Sequence, residues 1–316
     1  MELGIALSSE EQSPLELVET ARAAEQAGLE FGLISDHIHP WVDAQGHSGF
    51  AWSVLGAIAQ QTENFRIGTG VTCPLIRIHP AIVAHAAATV ACLMPGRFFL
   101  GVGTGENLNE HVLGAKWPAP DERLEMLEEA IGVMRQLWQG DYQTHRGKHY
   151  TVESLRLFDL PDEPIEIAVA AMQPNAAELA GRIGDALVNV APKKEIVAKF
   201  DESGGDGKPK YGQMTVCYAR TKDEAKKTAF ENWPNVLVEG AASQELPLPK
   251  HFEQLVEGRK ADELDGTIPL GPDVDEYLDQ IKEYDDAGYT HLALHQVGSD
   301  QEGFLAFARN ELLAKV

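Results

Sequence analysis

The chain has 316 residues, 44% hydrophobic and 24% charged, a globular composition with enough apolar mass for one large core. Lysine and arginine number 26 against 49 aspartates and glutamates, a formal net charge of −23. A surface that acidic repels nucleic acid and anionic membranes, which need cations to neutralise phosphate; it suits a cytoplasmic protein, a salt-rich cytoplasm included. Cys73, Cys92 and Cys217 are scattered without C-x-x-C spacing, so neither a disulfide framework nor a zinc knuckle is expected. Met1-Glu2 leads directly into a strand-like segment, and no apolar run approaches membrane-spanning length, so a cytoplasmic location is expected.

Periodicity alternates between strand and helix along the chain. Leu3–Leu7 reads as a strand, and Ser13-Pro14 opens a helix through Ala27 that Gly28 stops. Phe31–Ser35 is a second strand, followed by a helix over Phe50–Gln61, a strand over Arg66–Gly70 and a helix over Pro80–Leu93. Arg97–Val102 is the fourth strand and Asp121–Gln139 a long amphipathic helix. Ile165–Ala170 is almost without polar residues, as a strand covered on both faces should be. A helix over Asn175–Ile183, a strand over Ala186–Val190 and a helix over Glu195–Phe200 follow. Gln213–Ala219 is a strand, Lys222–Asn232 and Val274–Ala287 are helices, His291–His295 is the closing strand, and Glu302–Leu313 is a last helix. Eight such units favour a closed (β/α)8 TIM barrel over an open doubly wound sheet. The chain is expected to be one domain over residues 1–316, with insertions at about 140–158 and 234–265.

In a parallel barrel, chemistry sits on the loops that follow the strands. After the second strand stands Ser35-Asp36-His37-Ile38-His39-Pro40-Trp41, which gathers proton-transfer groups beside an aromatic face. Histidine has the side-chain pKa nearest neutrality, so His37 is a candidate general base. His37-x-His39 also has the spacing of a metal pair, since alternate residues of an extended segment face one way. Metal-dependent barrel hydrolases place that pair after the first strand, with further histidines after the fifth and sixth. Here the fifth and sixth strands and the residues just beyond them carry none. No metal is therefore expected, and metal-dependent hydrolysis is a lesser alternative. After the fourth strand, Gly101-Val102-Gly103-Thr104-Gly105-Glu106 lets backbone approach a ligand closely and delivers a carboxylate to the barrel mouth. Gly68-Thr69-Gly70-Val71 and the acidic Ser8-Ser9-Glu10-Glu11-Gln12 end the third and first strands. His295 reads as structural or surface.

These residues resemble the coenzyme F420-dependent glucose-6-phosphate dehydrogenase group within the luciferase-like barrels. The resemblance spans Leu3 to about Leu313. It rests on Ser35-Asp36-His37…Pro40-Trp41, Gly101-Val102-Gly103-Thr104-Gly105-Glu106…Leu108-Asn109-Glu110, Met134-Arg135-Gln136-Leu137-Trp138 and Ala180-Gly181-Arg182…Gly184-Asp185. It implies coenzyme F420 as cofactor, a small-molecule substrate, and hydride transfer between a C–OH carbon of a sugar, sugar phosphate or other alcohol and the deazaflavin. By that pattern His37 takes the hydroxyl proton, Glu106 is the acid serving the ring, Trp41 packs on the reacting centre and Glu11 is an auxiliary acid. Asp36 orients His37 or meets the ring edge, and a non-prolyl cis peptide at Gly70-Val71 backs the ring. Thr104, Gly105, Asn109 and the turn Ala170-Ala171-Met172-Gln173 complete the cofactor site, although Met172-Gln173 replaces the family's usual glycines. Where the sugar-phosphate enzymes cradle the substrate phosphate, this chain has Val190, Lys193, Ser243 and Thr267. Only Lys193, with Lys194 beside it, is a cation, so glucose 6-phosphate as substrate does not follow. A homodimer is the expectation for such relatives. The alternative on the same barrel is an FMN-dependent monooxygenase.

Overall fold

Local sequence signals set the first helix. The Ser13 hydroxyl accepts from the Glu16 N–H and the Glu16 carboxylate accepts from the Ser13 N–H, with Pro14 first in the helix. This reciprocal cap fills two of the donors a helix start leaves open. Gly28 ends the helix at φ 95°, a left-handed torsion that suits glycine. The computed structural model describes residues 1–238, 240 and 242–316.

The strands are β1 (Glu2–Leu7), β2 (Phe31–Ile34), β3 (Arg66–Thr69), β4 (Phe98–Val102), β5 (Gln143–Arg146), β6 (Thr151–Leu155), β7 (Glu166–Ala170), β8 (Ala186–Asn189), β9 (Lys210–Val216) and β10 (His291–Gln296). Eight of them close into a barrel in the order β1-β10-β9-β8-β7-β4-β3-β2, while β5 and β6 pair separately. Every barrel pairing is parallel, from Glu2 beside His291 round to Ile34 beside Thr69. The sequence expectation of a (β/α)8 TIM barrel is met.

Side chains of a strand alternate between faces, so the barrel has two cores. Leu3, Ile5, Leu7, Leu100, Ile167 and Leu294 face outward into the layer shared with the helices. Ala6, Phe31, Leu33, Phe99, Ala168, Val188, Tyr211 and Ala293 fill the inside. Within the barrel Phe99 stacks on Tyr211 at 4.8 Å, and Phe31 meets Tyr211 edge-on at 5.6 Å. Glycine makes room for these rings: a Cβ on Gly68 would lie 2.3 Å from the Phe99 ring.

Residues 140–158, read as an insertion, contain the antiparallel β5–β6 hairpin, which pairs apart from the barrel. The strand expected at Gln213–Ala219 runs instead from Lys210 to Val216. Lys210 hid its start, since its ammonium is buried in the helix layer, held by Asp201 at 2.9 Å and lying over the Phe200 ring at 5.8 Å. Residues 234–265 hold a helical turn at Pro234–Leu237, another at Ala242–Glu245, a helix at Pro249–Val256 and a turn at Ala261–Leu264. This segment folds back over the barrel: Phe252 joins Val42 and Leu108 in a small apolar cluster against Trp41. Among the described residues no helix is long and apolar enough to cross a membrane.

Candidate active site

The loop after β2 places His37 at the barrel mouth, with its side chain only 11% exposed. The loop after β1 supplies its partner. Glu10 Oε1 lies 2.6 Å from His37 Nδ1, and the N–H is not aligned on that oxygen, so the contact is a close ion pair. The other Glu10 oxygen accepts from Ser8 Oγ at 2.9 Å and Ser35 Oγ at 2.7 Å. Burial alone would drive the His37 pKa down, but the negative charge of Glu10, helped by that of Glu106, raises it to about 9. Burial would likewise raise Glu10, yet the imidazolium, the Ser35 hydroxyl and a backbone N–H hold it at about 2. With Nδ1 committed to Glu10, Nε2 is the working nitrogen, and Glu106 Oε2 stands 3.8 Å from it. The Trp41 indole meets the His37 ring edge-on at 5.3 Å and is backed by Phe252 at 5.2 Å.

The sequence reading assigned the auxiliary acid to Glu11, one residue too far. The Glu11 carboxylate instead takes His295 Nε2 at 2.8 Å and the Gly298 N–H at 2.9 Å. Both acids lie in the turn after β1, where the Glu11 and Gln12 N–H groups donate to the Ser8 carbonyl, so no strand alternation distinguishes them in the sequence. Nor does Asp36 act on His37. Its carboxylate accepts from Thr72 Oγ1 at 2.7 Å and from Arg77 Nη2 at 3.1 Å. Arg77, which the sequence reading did not single out, also binds Glu110 through its side chain and its backbone N–H. This buried ion network ties the loops after β2, β3 and β4 together beneath the mouth. His39 turns away from His37, with Nδ1 on the Leu108 carbonyl at 3.0 Å, so the two histidines do not converge as metal ligands.

Asn109 clamps the His37 loop, its Oδ1 accepting from the Ile38 and His39 N–H groups at 3.0 and 3.2 Å. On the same side of the mouth, β3, β4 and β7 form an apolar shelf. The Gly70-Val71 peptide is cis, as the resemblance implied. Val71 and Ala170 are partly buried on the inner core, and Gly103 lies between them: a Cβ there would come 2.8 Å from Val71 Cγ2 and 3.3 Å from the Ala170 methyl. Beside it Gly105 adopts φ 73°, where a Cβ would also strike Cys73 Sγ at 2.6 Å. Thr104 lies between these glycines, partly exposed. Ala171 N–H pairs with the Val188 carbonyl, while Met172 and Gln173 are exposed.

A family model described as luciferase-like monooxygenase matches residues 1–291. The chain belongs to the luciferase-like family. Among curated relatives it is 35% identical to the F420-dependent glucose-6-phosphate dehydrogenase of Tsukamurella paurometabola, covering 96% of this chain and 95% of that protein. It is 33% identical to the protein of the same description from Microbacterium testaceum, over 100% and 97% of the two chains. Among solved structures it superimposes with a TM-score of 0.91 and 28% identity on an F420-dependent secondary alcohol dehydrogenase in complex with an F420-acetone adduct, over 99% and 98% of the chains.

In this luciferase-like barrel the residues read at the substrate-phosphate position each bond a backbone carbonyl. Lys193 Nζ bonds the Met172 carbonyl at 3.4 Å, across the gap between the loops after β8 and β7. Ser243 Oγ donates to the Gly240 carbonyl and Thr267 Oγ1 to that of Glu263. No hydrogen bond links the three among the described residues.

Proposed function

We propose that this chain is an F420-dependent oxidoreductase that moves a hydride between a C–OH carbon of a neutral alcohol or sugar and the deazaflavin. The observation that carries the reading is the buried Glu10–His37 pair, whose free Nε2 stands at the mouth across from Glu106. The residues present fit the cofactor. A flat ring has the Val71–Gly103–Ala170 shelf to lie on, and Asn109 Nδ2 is a buried donor without a partner. For the acidic tail, the helix Pro174–Ile183 begins without a side-chain cap at Gln173, leaving backbone N–H groups that favour an anion. Lys193 stands beside that end at Met172. Thr104 and Gly105 lie along the same edge.

Bound there, F420 supplies the hydride acceptor or donor. The protein supplies the proton chemistry. In alcohol oxidation neutral His37 Nε2 takes the hydroxyl proton as the C–H hydride leaves; in carbonyl reduction the imidazolium returns that proton to the oxygen. A His37 pKa of about 9 leaves the ring charged at neutral pH, ready for reduction, and oxidation requires its deprotonation. Glu10 holds Nδ1 and fixes the ring's orientation. Glu106, near Nε2, is the second proton-handling group of the site. Trp41 and Phe252 shield the mouth from water. Lys193 is the one cation among Lys193, Ser243 and Thr267, which supports a neutral substrate over glucose 6-phosphate, because a buried phosphate needs several charge-assisted partners.

We propose further that the chain is a single-domain cytoplasmic homodimer with no nucleic-acid or membrane partner; the acidity supports the last two points, and light scattering measures the dimer. The functional test is equilibrium titration with F420 and with FMN. F420 should bind well above FMN and be reduced by neutral alcohols or sugars. Tight FMN binding without F420 binding would show the monooxygenase reading to be right instead.

A further inference from the structure

The mouth has two unlike sides. β3, β4 and β7 give the apolar shelf, and the opposing arc, running β2-β1-β10-β9, carries the polar groups. A substrate that reacts with a ring on the shelf must rest against that arc. The proposed chemistry uses only its β2 and β1 part, His37 and Glu10.

The β9 part is built for contact as well. Tyr211 points into the barrel, since it stacks on Phe99 and bonds Glu166 Oε1 at 2.9 Å. By strand alternation Gln213 and Thr215 point the same way, and they stand level with Ala293 and His295 of β10. Both are partly exposed although their outward-facing neighbours Met214 and Val216 are buried, so the space they border is the open barrel mouth. The Gln213 side-chain amide makes no hydrogen bond within the protein among the described residues, while its backbone carbonyl accepts from Tyr284 Oη at 2.8 Å. An inward amide with no protein partner has both donor and acceptor capacity to offer a ligand.

Thr215 is held in place from behind. Its Oγ1 lies 3.4 Å from His295 Nδ1, His295 Nε2 is fixed by Glu11 at 2.8 Å, and Trp233 packs edge-on over the His295 ring at 4.3 Å. His295 and Glu11 are both buried, with side chains 2% and 5% exposed. Glu10 and Glu11, adjacent in one loop, thus each anchor a histidine from a flanking strand. One histidine handles the proton, and the other positions a hydroxyl.

We propose that Gln213 and Thr215 form a second hydrogen-bonding station that takes a neutral hydroxyl next to the reacting carbon, so that the substrate class is neutral polyhydroxylated compounds and not simple monofunctional alcohols. This rests on the oxidoreductase reading of the same site. Gln213 and Thr215 carry no charge, and Val190, the exposed residue after β8, is apolar, which fits hydroxyls better than an anion. Specificity of this kind is strong because a polar station left empty loses its bonds.

The test compares wild type with Gln213→Leu and Thr215→Val, with Thr215→Ser as the conservative control, using F420 with glucose, glycerol and propan-2-ol. The ratio of kcat/KM for each polyol to that for propan-2-ol should fall about tenfold in each of the two variants and recover in Thr215→Ser. Saturation-transfer NMR reads polyol binding independently of turnover: glucose protons should be saturated by wild type and lose that signal in Gln213→Leu. A wild-type preference for propan-2-ol, or ratios unchanged in both variants, overturns the proposal. F420 titration of wild type separates the two levels. If F420 binds and alcohols reduce it while the ratios stay fixed, only this station is wrong. If no alcohol reduces F420, the oxidoreductase reading fails, and the NMR contrast alone then decides the station, its absence overturning it.

Discussion

Replacing Glu10 with glutamine removes one charge from a buried pair while keeping its shape, and the consequence for His37 can be worked out. At 2.6 Å and an effective dielectric of about 20, the attraction is about 6 kcal/mol. The rise of His37 from 6.5 to about 9 corresponds to roughly 3 kcal/mol, the remainder being offset by burial of the ring and the nearby Arg77. Without Glu10 those opposing effects dominate, and His37 should titrate below 6.5. Oxidation needs the neutral ring, so kcat/KM for an alcohol should rise with pH through about 9 in wild type, and its midpoint should move down by more than 2 pH units in Glu10→Gln. Histidine side-chain 1H–15N spectra across pH provide the direct measurement. Stability follows the same pair. His37, raised in the folded state, stabilises fully below 6.5 and loses its contribution as pH rises through 9. Glu10, depressed to about 2, stabilises above 4.5 and loses its contribution as pH falls toward 2. The melting-temperature deficit of Glu10→Gln should therefore be full between about pH 4.5 and 6.5 and shrink above 9. A His37 midpoint that stays near 9 in the variant would refute the electrostatic account.

His37→Ala should lower the rate of hydride transfer by about 10²–10⁴-fold with little change in F420 affinity, read by stopped-flow absorbance; near-normal reduction of the cofactor removes His37 from the mechanism. Glu106→Gln should slow turnover while fluorescence titration shows F420 still bound, and an unchanged kcat would leave Glu106 without a part in proton handling. Arg77→Met strands Asp36 and Glu110 as buried, unpaired carboxylates, so urea denaturation should show a loss of about 3–5 kcal/mol; a loss under 1 kcal/mol contradicts the network. Gly101→Ala would place a Cβ 1.9 Å from the Thr69 carbonyl oxygen and should cost roughly 3 kcal/mol or more, visible as a large drop in melting temperature.

The barrel was legible in the sequence because each of its signals is local. Ser13, Pro14 and Gly28 bound a helix through their own backbone preferences, and apolar runs such as Ile165–Ala170 declare strands covered on both sides. The β5–β6 hairpin is hidden in the sequence because seven of its nine strand residues are polar and only Val152 is buried, so neither strand shows an apolar alternation. The start of β9 was missed because Lys210 is charged in sequence and buried in the fold.

For the site, the sequence by itself determined the inventory: Asp36, His37 and Trp41 after one strand, Gly103 to Glu106 after another, and acids after the first. Which groups meet was decided only by closure of the barrel. Glu10 and Glu11 are indistinguishable as letters, yet 25 residues separate Glu10 from Ser35 in the chain, and 284 separate Glu11 from His295. Barrel order brings β1 between β2 and β10, so consecutive carboxylates in one loop face histidines on opposite neighbours. Arg77 was silent for the same reason: its value lies in reaching two carboxylates from different loops, which is a property of distance in space. Short-range preferences fix where elements begin and end, whereas ion pairing depends on a few ångströms between chain-distant atoms, and only the folded barrel sets those.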